Sequence, residues 1–295
     1  MGIMLNSAVI NYNPPCKNDM VDIIIFIIMV EVDFNQKLEE RIRKLIRDYK
    51  LIEEGELVAV ALSGGKDSLL VLHVLADLKD DLGFDIVAIT VDEGIKDYRE
   101  KGLEAARYNT KLLGVELVEK SFIEEFDFSL DDVYGIFKSP CIPCGVFRRH
   151  ILNRAARSLG ADKIATGHNM DDEIQSFMMS LVRGDTRKFS KFGPKLEVIH
   201  SKLIPRIKPL WNTSEEETRT WAILNNIRVH LEDCPYSSLS LRSRIKRFLN
   251  SVESKRPGTK DLMMRSFIKT FKMEQEEVEL FECEVCGEPA SMRTC

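Results

Sequence analysis

No apolar run in this chain is long enough to cross a bilayer. The strongest, Ile23 to Val30, has eight residues, where a spanning helix needs about 20, and the stretch before it lacks the positive charge of a secretory leader. Neither a membrane anchor nor a signal peptide is expected. An excess of positive charge is also missing. Lys and Arg number 42 against 47 Asp and Glu, for a net charge of −5, which excludes a uniformly basic nucleic-acid coat and confines any RNA contact to a local patch. Cysteine is too sparse for a disulfide frame: seven occur in 295 residues, four of them in two Cys-x-x-Cys pairs, a usage that fits metal ligands or redox thiols in a reducing cytoplasm. Long-period repeats and low-complexity tracts are absent. What is present, 44% hydrophobic and 30% charged residues, fits one sizeable core plus small appendages, or two modest domains.

The Walker A spacing G-x-x-x-x-G-K-[ST] is absent too. In its place stands Ser63-Gly64-Gly65-Lys66-Asp67-Ser68, between the apolar run Leu57 to Leu62 and the helix-like stretch Leu69 to Leu78. A buried strand turning into a helix here frees backbone N–H groups and aims a positive helix terminus at one spot, which suits phosphate. An ordinary strand-turn-helix corner uses the same residue types, but needs one or two of them rather than all six. The loop resembles the SGGxDS loop of the PP-loop ATP pyrophosphatases, which cleave ATP between its α and β phosphates.

Residues 1 to about 34 follow no clear pattern, and Asn35 to Tyr49 reads as an amphipathic helix. After the loop, strands at Asp85 to Val91, Glu116 to Glu119 and Lys163 to Thr166 alternate with helices at Tyr98 to Leu113, Cys144 to Leu159 and Asp171 to Val182. That alternation predicts an α/β fold, a Rossmann-like parallel sheet covered on both faces, with an N-terminal helical extension and a basic C-terminal helical tail. Ligands sit beyond the strand C-termini in such sheets, where Ser63, Asp92 and Gly167 fall. The expected divisions are 1–51 (extension), 52–235 (ATPase core), 236–280 (basic segment) and 281–295 (tail). Ser237 to Lys272 holds ten Lys or Arg against Glu253 and Asp261, a net charge of +8. A solvated helix face is the usual meaning of such charge, but the scarcity of acids favours RNA phosphate contact.

Cys141-Ile142-Pro143-Cys144 reads as a loop just before a helix carrying Arg148 and Arg149, and Cys234 lies far along the chain. Three thiolates leave one position open on a tetrahedral metal, or one iron of a cubane cluster without a protein ligand. Taken alone, these cysteines equally suit a redox pair, a structural zinc or buried thiols. Gly167-His168-Asn169-Met170-Asp171-Asp172 reads as a strand end followed by an acidic helix N-terminus. There Asp171 or Asp172 caps the helix or works beside a nucleotide. A working aspartate implies Mg²⁺ between it and the phosphates.

Together, Ala61 to Ser68, Cys141 to Arg149, Ala165 to Glu173 and Asp233 to Tyr236 resemble the tRNA 2-thiolation enzymes of the TtcA and TtuA/NcsA type, over about residues 36 to 295. The resemblance implies a 4Fe-4S cluster on Cys141, Cys144 and Cys234. It also implies ATP held by Ala61, Ser63, Gly64, Gly65, Lys66, Asp67, Ser68, Arg148 and Gly167, with Asp67 and Asp172 in catalysis or magnesium positioning. The implied reaction is ATP-dependent adenylylation of a tRNA uridine C2 oxygen, at position 34 or 54, followed by sulfur insertion. The implied sulfur donor is sulfide or a ubiquitin-like thiocarboxylate carrier, and the implied assembly is a homodimer. Two other readings remain open: a PP-loop amidotransferase or lysidine-synthetase-like enzyme, and a non-enzymatic, zinc-stabilised tRNA-binding adaptor. Cys283, Cys286 and Cys295 look like the first three ligands of a zinc ribbon whose fourth cysteine is missing, so zinc there needs His, water or another chain. The N-terminal zinc finger usual in TtuA-like relatives is missing as well. Cys16 reads as a lone thiol, and His150, His200 and His230 as packing or solvent-facing residues.

Overall fold

A computed structural model describes residues 20–137, 140–185, 192–196, 200–237, 240–270, 280–290 and 292–294. Two units are distinguished, residues 1–40 and 41–295. Helix α1 (Met20–Asp48) crosses that division. It begins where the sequence shows no pattern, because the apolar octet continues the helical phase of the segment that follows. Among the described residues no helix is long and apolar enough to cross a membrane.

The larger unit is built on five parallel strands: β1 (Leu57–Ala61), β2 (Asp85–Asp92), β3 (Leu117–Ser121), β4 (Lys163–Thr166) and β5 (Arg206–Ile207), in the order β3-β2-β1-β4-β5. Strand β1, Leu-Val-Ala-Val-Ala, is central and buried through its middle, as expected where helices cover both faces. Successive residues alternate between faces. Ala59, Val87, Ile89 and Ile164 pack against Ala155 and Ala156 of α6 (Cys141–Ser158), and helix α2 (Lys66–Leu82) also contacts the sheet. The chain steps outward from β1 to β3, then returns to place β4 on the other side of β1. That reversal opens a crevice above β1 and β4, the usual ligand position in open α/β sheets.

Helices α3 (Arg99–Leu113), α4 (Phe122–Phe126), α5 (Leu130–Val133), α7 (Met170–Arg183), α8 (Glu215–Leu224), α9 (Leu241–Lys255) and α10 (Thr259–Thr270) complete the layers. Strands β6 (Phe281–Glu282) and β7 (Pro289–Ala290) form a separate antiparallel hairpin. One boundary differs instructively from expectation. Helix α6 starts at Cys141 rather than at Cys144, with Pro143 in its first turn, where the missing N–H would have had no partner anyway. Cys141 and Cys144 are thus three residues apart on one helix face.

Candidate active site

The loop after β1 is held by its own hydroxyls. Ser63 N donates to Ser68 Oγ at 3.1 Å, the two hydroxyls are 3.0 Å apart, and Ser68 Oγ donates to the Gly65 carbonyl at 3.0 Å. Gly64 has φ +83°, and a Cβ there would lie 2.0 Å from the Gly102 carbonyl oxygen of α3. Both conformation and space therefore demand glycine. Gly167 is required by contact alone, since its Cβ would meet Ser68 N at 2.7 Å. The expected nucleotide residue is thus also the point where the end of β4 rests on the phosphate loop. Ala61 closes β1 just before the loop.

Asp67 is fully engaged. Its Oδ1 accepts from Asn169 Nδ2 at 3.0 Å and Thr218 Oγ1 at 2.7 Å, while Oδ2 lies 2.7 Å from Lys66 Nζ. Lys66 also reaches Glu215, at 3.4 Å. The N-cap of α7 is Asn169, neither aspartate of the predicted pair. Asp172 completes a reciprocal capping box: Asn169 Oδ1 accepts from Asp172 N, and Asp172 Oδ2 from Asn169 N. Asp172 Oδ1 pairs with Arg242 at 3.1 Å. Burial pushes its carboxyl up to about 6 against the pull of Arg242, with Asp67 and Glu215 adding to the rise. Asp171 accepts from Glu215 N at 2.8 Å and pairs with Lys260, so it ties elements together.

A cleft of about 640 Å³ runs between these groups and α9, from Asp67 and Asp172 to Cys234, with Arg242 and Lys246 on its far wall. The basic segment is less bare than its own sequence implies, because its acids come from elsewhere. Arg242 meets Asp172, Lys246 meets Glu215 at 2.7 Å, and Lys260 meets Asp171. Arg244, Arg247, Lys255 and Arg256 are exposed. Lys272 and Leu239 lie outside the described residues.

Cys144 and Cys234 pack at the edge of an aromatic cluster around Phe122, Phe126 and Phe147, and the exposed Cys141, one turn before Cys144, donates its thiol toward the Tyr236 carbonyl at 3.8 Å, two residues beyond Cys234. None is disulfide-bonded. Each thiol lies within electrostatic range of the others: Cys144 is pushed up to about 11 by burial, with Arg148 opposing and Glu93, Cys234 and Cys141 adding. Cys234 is raised first by burial, then by Cys141. Arg148 faces the trio and pairs with Glu93 at 3.3 Å. Among the described residues no three Cys, His, Asp or Glu side chains converge tightly enough for one metal ion. Three thiols that share one neighbourhood, with a cation beside them, fit a multi-iron cluster, which spreads its ligands wider than a single ion does. Arg149 and Arg206 flank Arg148 without an acidic partner among the described residues, and Arg206 falls to about 10 through burial and repulsion from Arg149 and Arg148. His168, its Nδ1 2.9 Å from Thr166 Oγ1, is held down to about 3 by burial and nearby cations, so its ring is neutral.

In the tail, Cys283 is buried and Cys286 exposed at the tip of the β6–β7 hairpin. Cys295, like Cys16, lies outside the described residues. His150 packs on Phe126 and His230 on Tyr98, while His200 accepts from Lys202 N.

Sequence reasoning passed over Glu93, Arg99, Glu215 and Thr218. Glu93 directly follows a strand C-terminus, where ligand-facing groups gather. Ser214 and Glu217 spell a capping box, a readable sign that a helix starts near Glu215.

Residues 34–253 match the PP-loop domain family. The chain is 34% identical over 270 residues to the tRNA-5-methyluridine(54) 2-sulfurtransferase of Pyrococcus horikoshii, covering 90% of this chain and 85% of that protein. To the tRNA 2-thiolation protein NcsA of Haloferax volcanii it is 33% identical, with coverage of 89% and 88%. The chain belongs to the NcsA-type tRNA 2-thiolation family of PP-loop proteins. A solved member, the U34-tRNA thiolase NcsA from Methanococcus maripaludis with its [4Fe-4S] cluster, superposes with a TM-score of 0.77 at 33% identity, over 90% of this chain and 86% of that one. The matched PP-loop domain spans the residues of both the phosphate loop and the cysteine trio.

Proposed function

We propose that this chain makes 2-thiouridine in tRNA, activating the uridine C2 oxygen with ATP and replacing it by sulfur. The observation that carries this reading is one crevice lined by Asp67 of the phosphate loop, by Asp172 with its raised pKa and by Cys234, with Cys144 and Cys141 within electrostatic range of that thiol. A carbonyl oxygen is a poor leaving group. Attack of O2 on the α-phosphorus expels pyrophosphate and turns that oxygen into part of an AMP leaving group.

The amides of Ser63 to Ser68 and the first turn of α2 would hold the phosphates and stabilise charge as it develops. Lys66 adds a cation held in place by Asp67 and Glu215. Asp172, with a pKa near 6, is ionised at neutral pH yet basic enough to take the uridine N3 proton as O2 attacks. Mg²⁺ beside Asp67 would neutralise phosphate charge. A 4Fe-4S cluster on Cys141, Cys144 and Cys234 would supply a Lewis-acidic iron without a protein ligand, able to carry sulfur. Arg148 would offset the negative charge of the thiolates. Arg149, Arg206 and the exposed cations of α9 suit a polyanion, in a chain whose overall charge repels one.

The reading places the enzyme in the cytoplasm, in keeping with relatives named cytoplasmic tRNA 2-thiolation protein 1, as a homodimer fed by sulfide or a thiocarboxylate carrier. Protein reconstituted without oxygen and given ATP, sulfide and unmodified tRNA should yield 2-thiouridine with AMP and pyrophosphate. Mass spectrometry of the nucleosides, with fragment mapping, reads both the product and its position. Absence of 2-thiouridine under both sulfur sources overturns the proposal. Protein purified in air should be colourless and inactive.

A further inference from the structure

Glu93 and Arg99 are both buried charged residues outside the set that would touch nucleotide or sulfur. Arg99 opens α3 and reaches back over the sheet. Its Nη1 donates to the Ser63 carbonyl at 2.7 Å, its Nη2 to Thr90 Oγ1 at 2.7 Å, and its Nε to the Val91 carbonyl at 2.8 Å. Glu93 Oε2 lies 2.9 Å from Arg99 Nε, and its other oxygen, Oε1, lies 3.3 Å from Arg148 Nη1. One carboxylate is therefore divided between two guanidinium groups. The first grips the backbone of the phosphate loop. The second faces Cys144 and Cys234. An isolated buried charge is expensive, and a single Glu–Arg pair would already neutralise Arg99. Sharing the carboxylate with the half-exposed Arg148 is not needed for that neutralisation, so it calls for another explanation.

We propose that Glu93 and Arg99 are positioning residues that couple the phosphate loop to the cysteine trio, so that nucleotide seated at the loop fixes Arg148 against the thiols. The proposal rests on the tRNA-thiolation reading for its purpose, though not for its geometry. Contacts run from the Ser63 carbonyl through Arg99 and Glu93 to Arg148, and Arg148 lies one helical turn beyond Cys144 and within electrostatic range of it. Contiguity supplies a route, and the coupling along it is what the experiment measures. The loop has little freedom to move alone, because Gly64 rests on Gly102, in the first turn of the same helix that Arg99 opens.

The test uses the full chain in two states. In metal-free protein, alkylation of Cys144 by iodoacetamide is followed by mass spectrometry with and without a non-hydrolysable ATP analogue. The wild type should show a rate change of about fivefold on analogue binding, and Glu93→Gln a change close to none, with analogue affinity within about threefold of wild type. In reconstituted protein, Glu93→Gln should lower kcat for thiolation about tenfold or more and leave KM for ATP nearly unchanged, the pattern of a group that acts after binding. Arg99→Lys keeps the charge but loses the fork, and should uncouple in the same way. If the wild type shows no analogue-dependent change, or Glu93→Gln retains it, the proposal is overturned. If Glu93→Gln fails to fold, Glu93→Asp decides: its shorter side chain cannot span both arginines, so retained coupling overturns the idea. If the protein makes no 2-thiouridine but the thiol still senses nucleotide through Glu93, the coupling stands and the thiolation reading falls.

Discussion

Two Cys-x-x-Cys pairs in one chain have been placed in opposite settings. Cys141 and Cys144 share the first turn of a helix and lie within electrostatic range of Cys234, 90 residues beyond Cys144, and Arg148 acts on Cys144 and Cys234. Cys283 and Cys286 sit on a two-stranded hairpin. Cys283 N donates to the Glu288 carbonyl at 2.9 Å, and Gly287 N to the Cys283 carbonyl at 2.8 Å. That hairpin is docked through Arg157 to Glu288 and through Lys202 to Glu282 and the Gly287 carbonyl. The first pair depends on tertiary structure and a neighbouring cation, and the second on local turn geometry. Spacing in sequence is the same for both, so spacing alone cannot tell a reactive set from a structural one. The neighbours decide.

The sharpest way to break this comparison is to remove one sulfur from each set. Cys144→Ser should empty the reconstituted protein of most of its iron and reduce thiolation at least about 100-fold, whereas Cys283→Ser should keep iron content and the cluster spectrum. Equal iron loss in both variants would end the distinction. Unimpaired product formation by Cys144→Ser would favour the amidotransferase-like alternative instead.

A smaller effect separates the regions by pH. The folded pKa of Asp172 is raised, so its favourable contribution is full below the unfolded value near 4 and is lost as pH rises through about 6. Because 30% of its side chain remains accessible, the loss is about 1–2 kcal/mol rather than the full value of the shift. Asp172→Asn should therefore gain stability relative to wild type between pH 4 and 6, read by urea titration at each pH. Glu288 runs the other way. Its hydrogen bond to Arg157 lowers its pKa, so its contribution is present above the unfolded value and is lost on acidification. Glu288→Gln should accordingly cost least at low pH and at most about 1 kcal/mol near neutrality, with faster proteolysis of the tail. Parallel pH responses at the two sites would contradict the contrast.

Much of the site was legible because it is local. Ser63 to Ser68 makes its own hydrogen bonds within six residues, so composition and order suffice to announce the loop. The same holds for the first turn of α7, although the cap is Asn169 rather than an aspartate. The start of α6 was misplaced because Pro143 reads as a breaker, when its position in the first turn makes it harmless. Nothing local could reveal that Arg242, Lys246 and Lys260 would find acids on α7 and α8, or that Glu93 would bridge α3 and α6. Apart from the Glu93–Arg99 pair, these contacts join residues 31 to 89 positions apart, and their existence depends on how the sheet orders its strands. The convergence of Cys234 with Cys141 and Cys144 was likewise supplied by family resemblance, since no periodicity links them.

Asp172 closes a helix with one oxygen and faces the crevice with the other. Architecture and chemistry are therefore written in a single codon. A lineage that abandoned the reaction would gain stability by exchanging this aspartate for asparagine, which keeps a capping oxygen without the cost of a buried charge, so folding alone does not explain its presence.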